Sequence, residues 1–386
     1  MCVRVEKVKF GVIGCGQRIA GIASSLNTYE NVQLKGVWDP SPTNGKILLT
    51  KCSEEDGILY PSYEALLADE EIEWVLIGSP NAFHCEQIVA SFKAGKHIFS
   101  EKPIAITIDE LSQIKKAHEA SGKLFATGFT LRYATIYREA KKILSSGLLG
   151  QIVSVNGSEN IMPDHGTYIM RNWRRLKELS GPHILEKCVH DMDLLNWLID
   201  SVPTHISAFG GNSMFIPENK GLYEEHKPIF DQWQWTGDIE KYEEGDENPF
   251  ISEKSIEDNV VAIMHYANKV QVQFQATTSN MIPERRLYFS CTRGNLIIEL
   301  YSGTLMYKAL GDEDITKVDL VGGGHGDGDY YIVKELMESM CYGTPPVCSG
   351  EEGIRSAIVA LGIDKARIEG CIVDLTQVWK EFGVSL

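Results

Sequence analysis

A glycine turn set between an apolar strand and an amphipathic helix constrains this chain more than any other feature. The segment FGVIGCGQRIAGIA (10–23) carries it. Gly14 allows the tight turn that follows the strand, and Gly16 lets the backbone approach a pyrophosphate. The helix beginning near Gln17 then aims free N–H groups and its positive dipole end at the anion. The third position of the G-x-G-x-x-G fingerprint holds Ile19, so Ala20 and Gly21 are expected to supply the close helix–strand contact. A second strand, VQLKGVWD (32–39), ends in Asp39, where the acidic ribose ligand of a dinucleotide site falls. A carboxylate there favours NAD and repels the 2′-phosphate of NADP. Arg18 is the counterweight, since its guanidinium suits a phosphate, so NADP stays open.

The rest of the first third repeats the strand–helix alternation. Strands are predicted at 74–80, 97–103 and 123–129. Helices are predicted from Tyr63 to Leu67, from Ala82 to Ala94 (closed by Gly95), and to Ser121 with Asp109 as N-cap and Gly122 after it. Such alternation implies a doubly wound parallel sheet, a Rossmann domain over residues 1–129. One helix is expected from Arg132 to Ser146, then a strand at 151–160. Two strands are expected within 260–279 around Asn268 and three within 286–308, with closing helices near 328–342 and 351–369. Strands without intervening helices predict an open, mostly antiparallel sheet, giving an α+β domain over 130–386. The class is α/β overall. The polar, acidic stretch 216–257 shows little periodicity and reads as an irregular insertion near a substrate or a subunit contact.

Bulk properties exclude several functions. A formal charge of -16 argues against nucleic acid or an anionic membrane as main partner. The cysteine count is nine, odd and without C-x-x-C, which fits reduced thiols in the cytoplasm better than disulfides or zinc. The first residues lack a signal-peptide pattern, and no apolar run is long enough for a membrane span.

Three further segments resemble the Gfo/Idh/MocA oxidoreductases, a family that includes glucose–fructose oxidoreductase and inositol dehydrogenase. GSPNAFHCEQIVASFKAGKHIFSEKPIA (78–105) is similar to its P-N-x-x-H and E-K-P segments. SGPHILEKCVHDMDLLNWL (180–198) resembles its motif with aspartate and histidine four residues apart, and GGGHGDGDYYIVKELMESM (322–340) resembles a loop and helix near the C-terminus of many members. The resemblance implies a Rossmann domain followed by a sheet with helices on one face, whose outer face forms homodimer or homotetramer contacts. It also implies hydride transfer between NAD(P) and a carbohydrate-like small molecule.

Oxidising an alcohol requires a base for the hydroxyl proton and a group that stabilises the developing oxyanion. His190 matches the family's motif histidine and is the candidate base. Glu186 stands where the family has aspartate, and its carboxylate could meet the imidazole or the substrate. Lys102 sits at a strand's carboxyl end, where it should reach the nicotinamide and the substrate hydroxyl, and Glu101 is expected to position cofactor or backbone. Pro80, Asn81 and His84 line the cofactor in the family, and Asn81 also suits a helix cap. Asp193 matches the family's H-x-x-D aspartate, a substrate ligand or a helix anchor, and Asp191 lies beside His190. Cys188, His183, Glu186 and His190 do not have zinc-motif spacing, so no metal is expected. Arg132, Tyr133, Trp173, Arg174 and His325, with Trp233 and Trp235, are weaker candidates for substrate contacts. Two other readings stay open: a hydrolase or lyase that retains NAD and oxidises transiently, and a non-catalytic NAD(H) sensor.

Overall fold

The computed structural model describes residues 7–54, 56–232, 245–320 and 326–386. Trp233, Trp235 and His325 lie outside the described residues. By internal packing the chain forms two units. The first takes in the described residues up to Phe129 and Asp329–Ile354. The second takes in Thr130 to 232, 245 to Gly328, and Arg355–Leu386. Residues 329–354, read from the sequence as part of 130–386, therefore pack with the first unit. One physical reason is visible on Thr127, whose backbone N–H donates to the Cys348 carbonyl at 2.8 Å and whose hydroxyl donates to that of Ser349 at 3.1 Å.

The first unit is built on six parallel strands: β1 (Val8–Ile13), β2 (Val32–Trp38), β3 (Ile58–Leu59), β4 (Ile72–Ile77), β5 (His97–Ser100) and β6 (Phe125–Thr127). Their order is β3-β2-β1-β4-β5-β6, with the reversal between β1 and β4 that opens a ligand crevice in doubly wound folds. β1 and β4 are almost wholly apolar and buried, as strands covered on both faces must be. Register pairs Ile13 with both Trp38 and Ile77, Ile77 with Ser100, and Ser100 with Thr127. The residues that follow this row, Asp39, Gly14, Gly78 and Glu101, consequently emerge along one edge.

Two local readings need correction. The helix Ile108–Ser121 starts two residues earlier than expected, with Thr107 rather than Asp109 as N-cap. The Thr107 hydroxyl accepts from the Glu110 N–H at 3.2 Å, and the Glu110 carboxylate accepts from the Thr107 N–H at 3.0 Å, a reciprocal capping box. The helix Pro42–Lys51 was not anticipated, because its PTNGKILLTK sequence is poor in helix formers; burial of Leu48 and Leu49 holds it.

The second unit centres on nine strands: β7 (Ile152–Asn160), β8 (Pro203–Gly211), β9 (Asn259–Tyr266), β10 (Gln271–Thr277), β11 (Glu284–Cys291), β12 (Gly294–Glu299), β13 (Thr304–Ala309), β14 (Thr316–Lys317) and β15 (Val373–Asp374). Their order is β14-β13-β12-β11-β7-β10-β9-β8-β15. Every neighbouring pair is antiparallel except β7 with β10. Along β9, Val260, Ala262, Met264 and Tyr266 are buried, while the residues between them face outward. The helix expected from Arg132 to Ser146 is two, Thr130–Tyr133 and Thr135–Ser145. They are split by extended backbone at Ala134, where the Thr135 N–H donates to the Asp327 carboxylate at 3.1 Å. Nor is 216–257 wholly irregular. It contains the helix Gly221–Phe230, whose Tyr223 and Phe230 pack with Ile161, Met170, Phe215 and Phe250 in a separate apolar cluster.

Thr107→Ala should lower the stability of the first unit by about 1 kcal/mol, the usual worth of an N-cap. Denaturant unfolding with a probe in that unit checks this, and an unchanged midpoint would contradict the capping assignment.

Candidate functional site

Three turns share the carboxyl edge of the parallel sheet. Gly14 has φ +77°, and a Cβ there would stand 2.5 Å from the Ser79 backbone nitrogen, so only glycine fits. Gly16 is the N-cap of Gln17–Leu26 and provides no side-chain cap, which leaves the first-turn amides to an anion. The Asp39 carboxylate accepts from the Cys15 N–H at 2.7 Å and from the Ser41 N–H at 2.8 Å, fastening the glycine turn to the end of β2. Close helix–strand packing is achieved differently from expectation. Nothing lies within 4 Å of a Cβ on Gly21, whereas a Cβ on Gly78 would stand 2.5 Å from that of Ile19. The small residue needed at the crossing is therefore on the facing strand end, and Ile19 seats on it.

Arg18 is committed within the protein. It donates to Glu101 at 3.1 Å and pairs with Asp329 at 2.8 Å. Burial works against its charge, but these carboxylates hold its pKa above the usual arginine value. The nearby His84 is buried, and its ring nitrogens lie 2.7 Å from the Pro103 carbonyl and 2.8 Å from that of Ser79. It ties the turn after β4 to the turn holding half-buried Lys102. Burial lowers the His84 pKa, with Lys102 acting in the same direction and the two carbonyl contacts opposing it. Asn81 is buried inside the 3-10 turn Asn81–Phe83, so Pro80, not Asn81, holds the cap position. The fit to a dinucleotide is good: a crowded glycine turn, an uncapped helix start, and a carboxylate at the end of β2.

In the second unit His190 lies buried in the first turn of the helix Val189–Ile199. Glu186, also buried, accepts from Arg174 Nε at 2.7 Å. That guanidinium lies 4.2 Å from the Trp173 ring centroid and 5.2 Å from that of Tyr168. Asp193 and Arg132, both buried, bond to each other through two nitrogens of the guanidinium, one at 3.0 Å, and Ser356 adds a donor at 3.4 Å. The pair joins the helix Thr130–Tyr133 to the helix Val189–Ile199. Tyr133 is buried beside it in sequence. Asp191 accepts from Arg285 at 3.0 and 2.7 Å. His183 is buried, and burial pushes its pKa down to about 4. Sequence reasoning missed Arg285 and Glu159, which face inward from β11 and β7. Among the described residues no three His, Cys, Asp or Glu side chains converge as a metal would require. No helix among them is long and apolar enough to cross a membrane.

Comparison with known proteins places this architecture. Residues 8–129 match the domain described as "Oxidoreductase family, NAD-binding Rossmann fold", and residues 137–297 match the GFO/IDH/MocA C-terminal domain. The chain belongs to the Gfo/Idh/MocA family. Its first unit is accordingly an NAD-binding Rossmann domain. Among curated members it is similar to 2,7-anhydro-N-acetylneuraminate hydratase of Escherichia coli (strain K12), 28% identical over 53% of each chain. It is also similar to inositol 2-dehydrogenase of Salmonella paratyphi B, 29% identical over 50% of this chain and 55% of that one. The match thus spans about half the length of these curated relatives. A solved Gfo/Idh/MocA structure, levoglucosan dehydrogenase with NADH and levoglucosan, superposes over 96% of this chain and 100% of its own. Its TM-score is 0.78 and its identity 17%, a likeness of fold.

Gly78→Ala should destabilise the first unit by about 1–3 kcal/mol through overpacking, and should cost less than that in a chain carrying Ile19→Gly, which removes the Cβ the new methyl meets. Equal costs of Gly78→Ala in the two backgrounds, read by thermal unfolding, would disprove the Ile19–Gly78 seat.

Proposed function

We propose that the protein is an NAD-dependent dehydrogenase acting on a secondary hydroxyl of a sugar, inositol or amino-sugar derivative. The E-K-P turn carries the reading. Lys102 follows β5 on the same sheet edge as the glycine turn, and the buried His84 ring contacts the adjoining Pro103 carbonyl at 2.7 Å. Bound NAD supplies a hydride acceptor. The chain's own groups manage the proton: the Lys102 ammonium stabilises the alkoxide, and the His190 imidazole takes the hydroxyl proton. Gly14, Gly16, Gln17, Arg18 and Ile19 form the pyrophosphate turn in this reading, and Pro80, Asn81, His84 and Glu101 frame the nicotinamide side. Asp39 selects NAD over NADP, and the engagement of Arg18 with Glu101 and Asp329 supports that preference. Glu186 acts through Arg174, which with Trp173 offers a cationic and aromatic surface to a polar ring. The eight described cysteines carry free thiols, which fits a reducing compartment such as the cytoplasm.

One observation favours a second reading in the same site. The E. coli relative bears the name of a hydratase. In that reading the hydroxyl carbon is oxidised transiently to a ketone, water is lost or added across the adjacent carbon–carbon bond (the proton at the α carbon, the hydroxyl at the β carbon), and the hydride would return to the ketone, so no NADH accumulates.

Purified protein with NAD should turn over at least one member of a carbohydrate panel, including anhydro-sugars. NADH absorbance reports net oxidation, and product analysis reports cofactor-neutral conversion. Lys102→Met and His190→Ala should each lower kcat at least about a hundredfold. Turnover that survives both substitutions would refute the assignment, and accumulation of NADH would exclude the second reading.

We also propose assembly as a homodimer or homotetramer through the outer face of the nine-stranded sheet. Phe209 is 73% exposed, Ile263 61% and Val261 41%, and register sets Phe209 opposite Val261 on that face. Phe209→Lys combined with Ile263→Lys should yield monomers by light scattering, and an unchanged mass would rule this face out.

A further inference from the structure

We infer that Arg285 is a positioning residue for His190, acting through an ion network that anchors the turn carrying the imidazole at both ends. The inference rests on the reading of His190 as the base.

The network begins in strand register. β7 and β11 are antiparallel, and Arg285 lies directly opposite Glu159. Directly opposed residues point to the same face, and here that face is inward: Arg285 is 3% exposed and Glu159 1%. Their charges meet at 2.9 Å. Arg285 then reaches Asp191 with Nε at 3.0 Å and Nη2 at 2.7 Å, a two-point contact. Glu159 reaches the other way, to the Lys187 ammonium at 3.4 Å. Lys187 and Asp191 bracket His190 in sequence. The turn is thereby tied to two adjacent strands, on one side of the imidazole through Glu159 and on the other through Arg285. Tyr301 adds a hydroxyl donor to Glu159 at 3.3 Å, and buried Tyr137 lies within the same field.

The energetics favour an anchoring role over a gain in stability. Two carboxylates and two cations have been taken out of water, and such networks are often no more stable than an apolar replacement. What they fix is geometry, because a guanidinium fork accepts one arrangement of two carboxylates. Burial, reinforced by Glu159 and opposed by Arg285, raises the Asp191 pKa, so its charge depends on the guanidinium staying in place. An imidazole on the adjoining residue inherits both the orientation and the field of this network.

The test uses full-length 15N-labelled protein, with the His190 ring signals assigned by their loss in His190→Gln. Arg285→Lys keeps the charge and removes the fork. The His190 signals should broaden or double in Arg285→Lys, and their pH titration should move by on the order of half a unit or more. If the base reading also holds, kcat should fall at least tenfold with KM within threefold. Tyr301→Phe leaves every charge paired and should fold even if Arg285→Lys does not; it should show the same spectral change to a smaller degree. His190 signals and titration identical to wild type in the folded variants would overturn the inference. Undiminished turnover in His190→Gln would instead overturn the base reading, while the spectra would still decide the anchoring.

Discussion

Backbone register in the parallel sheet is the constraint on which the candidate site depends. Hydrogen bonding aligns Ile13, Trp38, Ile77 and Ser100 in one row, so the chain leaves four strands at the same height. A glycine turn, a carboxylate, a second glycine and the Glu101–Lys102 pair follow at once along that edge. No side chain has to search for its place; the ladder delivers each one. Slippage by one residue in β4 or β5 would carry the turn that follows it out of this row.

Side chains then lock what the ladder has aligned. Asp39 binds the Cys15 amide, His84 bridges two carbonyls, and Arg18 joins Glu101 to Asp329. These contacts join turns and helix starts, not the strands themselves, so the edge behaves as a connected rim. The second unit follows the same logic with charge in place of backbone, through Arg132 with Asp193, Arg174 with Glu186, and Arg285 with Asp191 and Glu159. These pairs hold the segment 183–193 against its surroundings at several points, as suits the role proposed for its imidazole.

The sequence made much of this legible, for reasons particular to each element. β1, β2 and β4 are apolar runs closed by turn residues, and those signals are local. The glycine turn is readable from its spacing, but the seat for Ile19 is not, because Gly78 is distant in sequence and meets it only once β1 and β4 pair. Thr107 was overlooked in favour of Asp109 although Glu110 three residues on marks a capping box. The Pro42–Lys51 helix runs against propensity and is held by tertiary burial. Arg285 and Glu159 left one usable trace. In RRLYFSC the inward positions are 285, 287 and 289, so a charged residue heads a buried row and demands a partner. Naming that partner requires the register of β7, which no local pattern contains.

On the proposed reading Asp39 serves two ends at once, since the carboxylate suited to a ribose diol is also the acceptor that shapes the turn at Cys15. Cofactor choice and architecture are therefore inherited together. A lineage drifting toward a phosphorylated ribose could not simply discard this acid; it would first have to evolve another acceptor for the Cys15 amide, or tolerate a looser loop while the exchange was made.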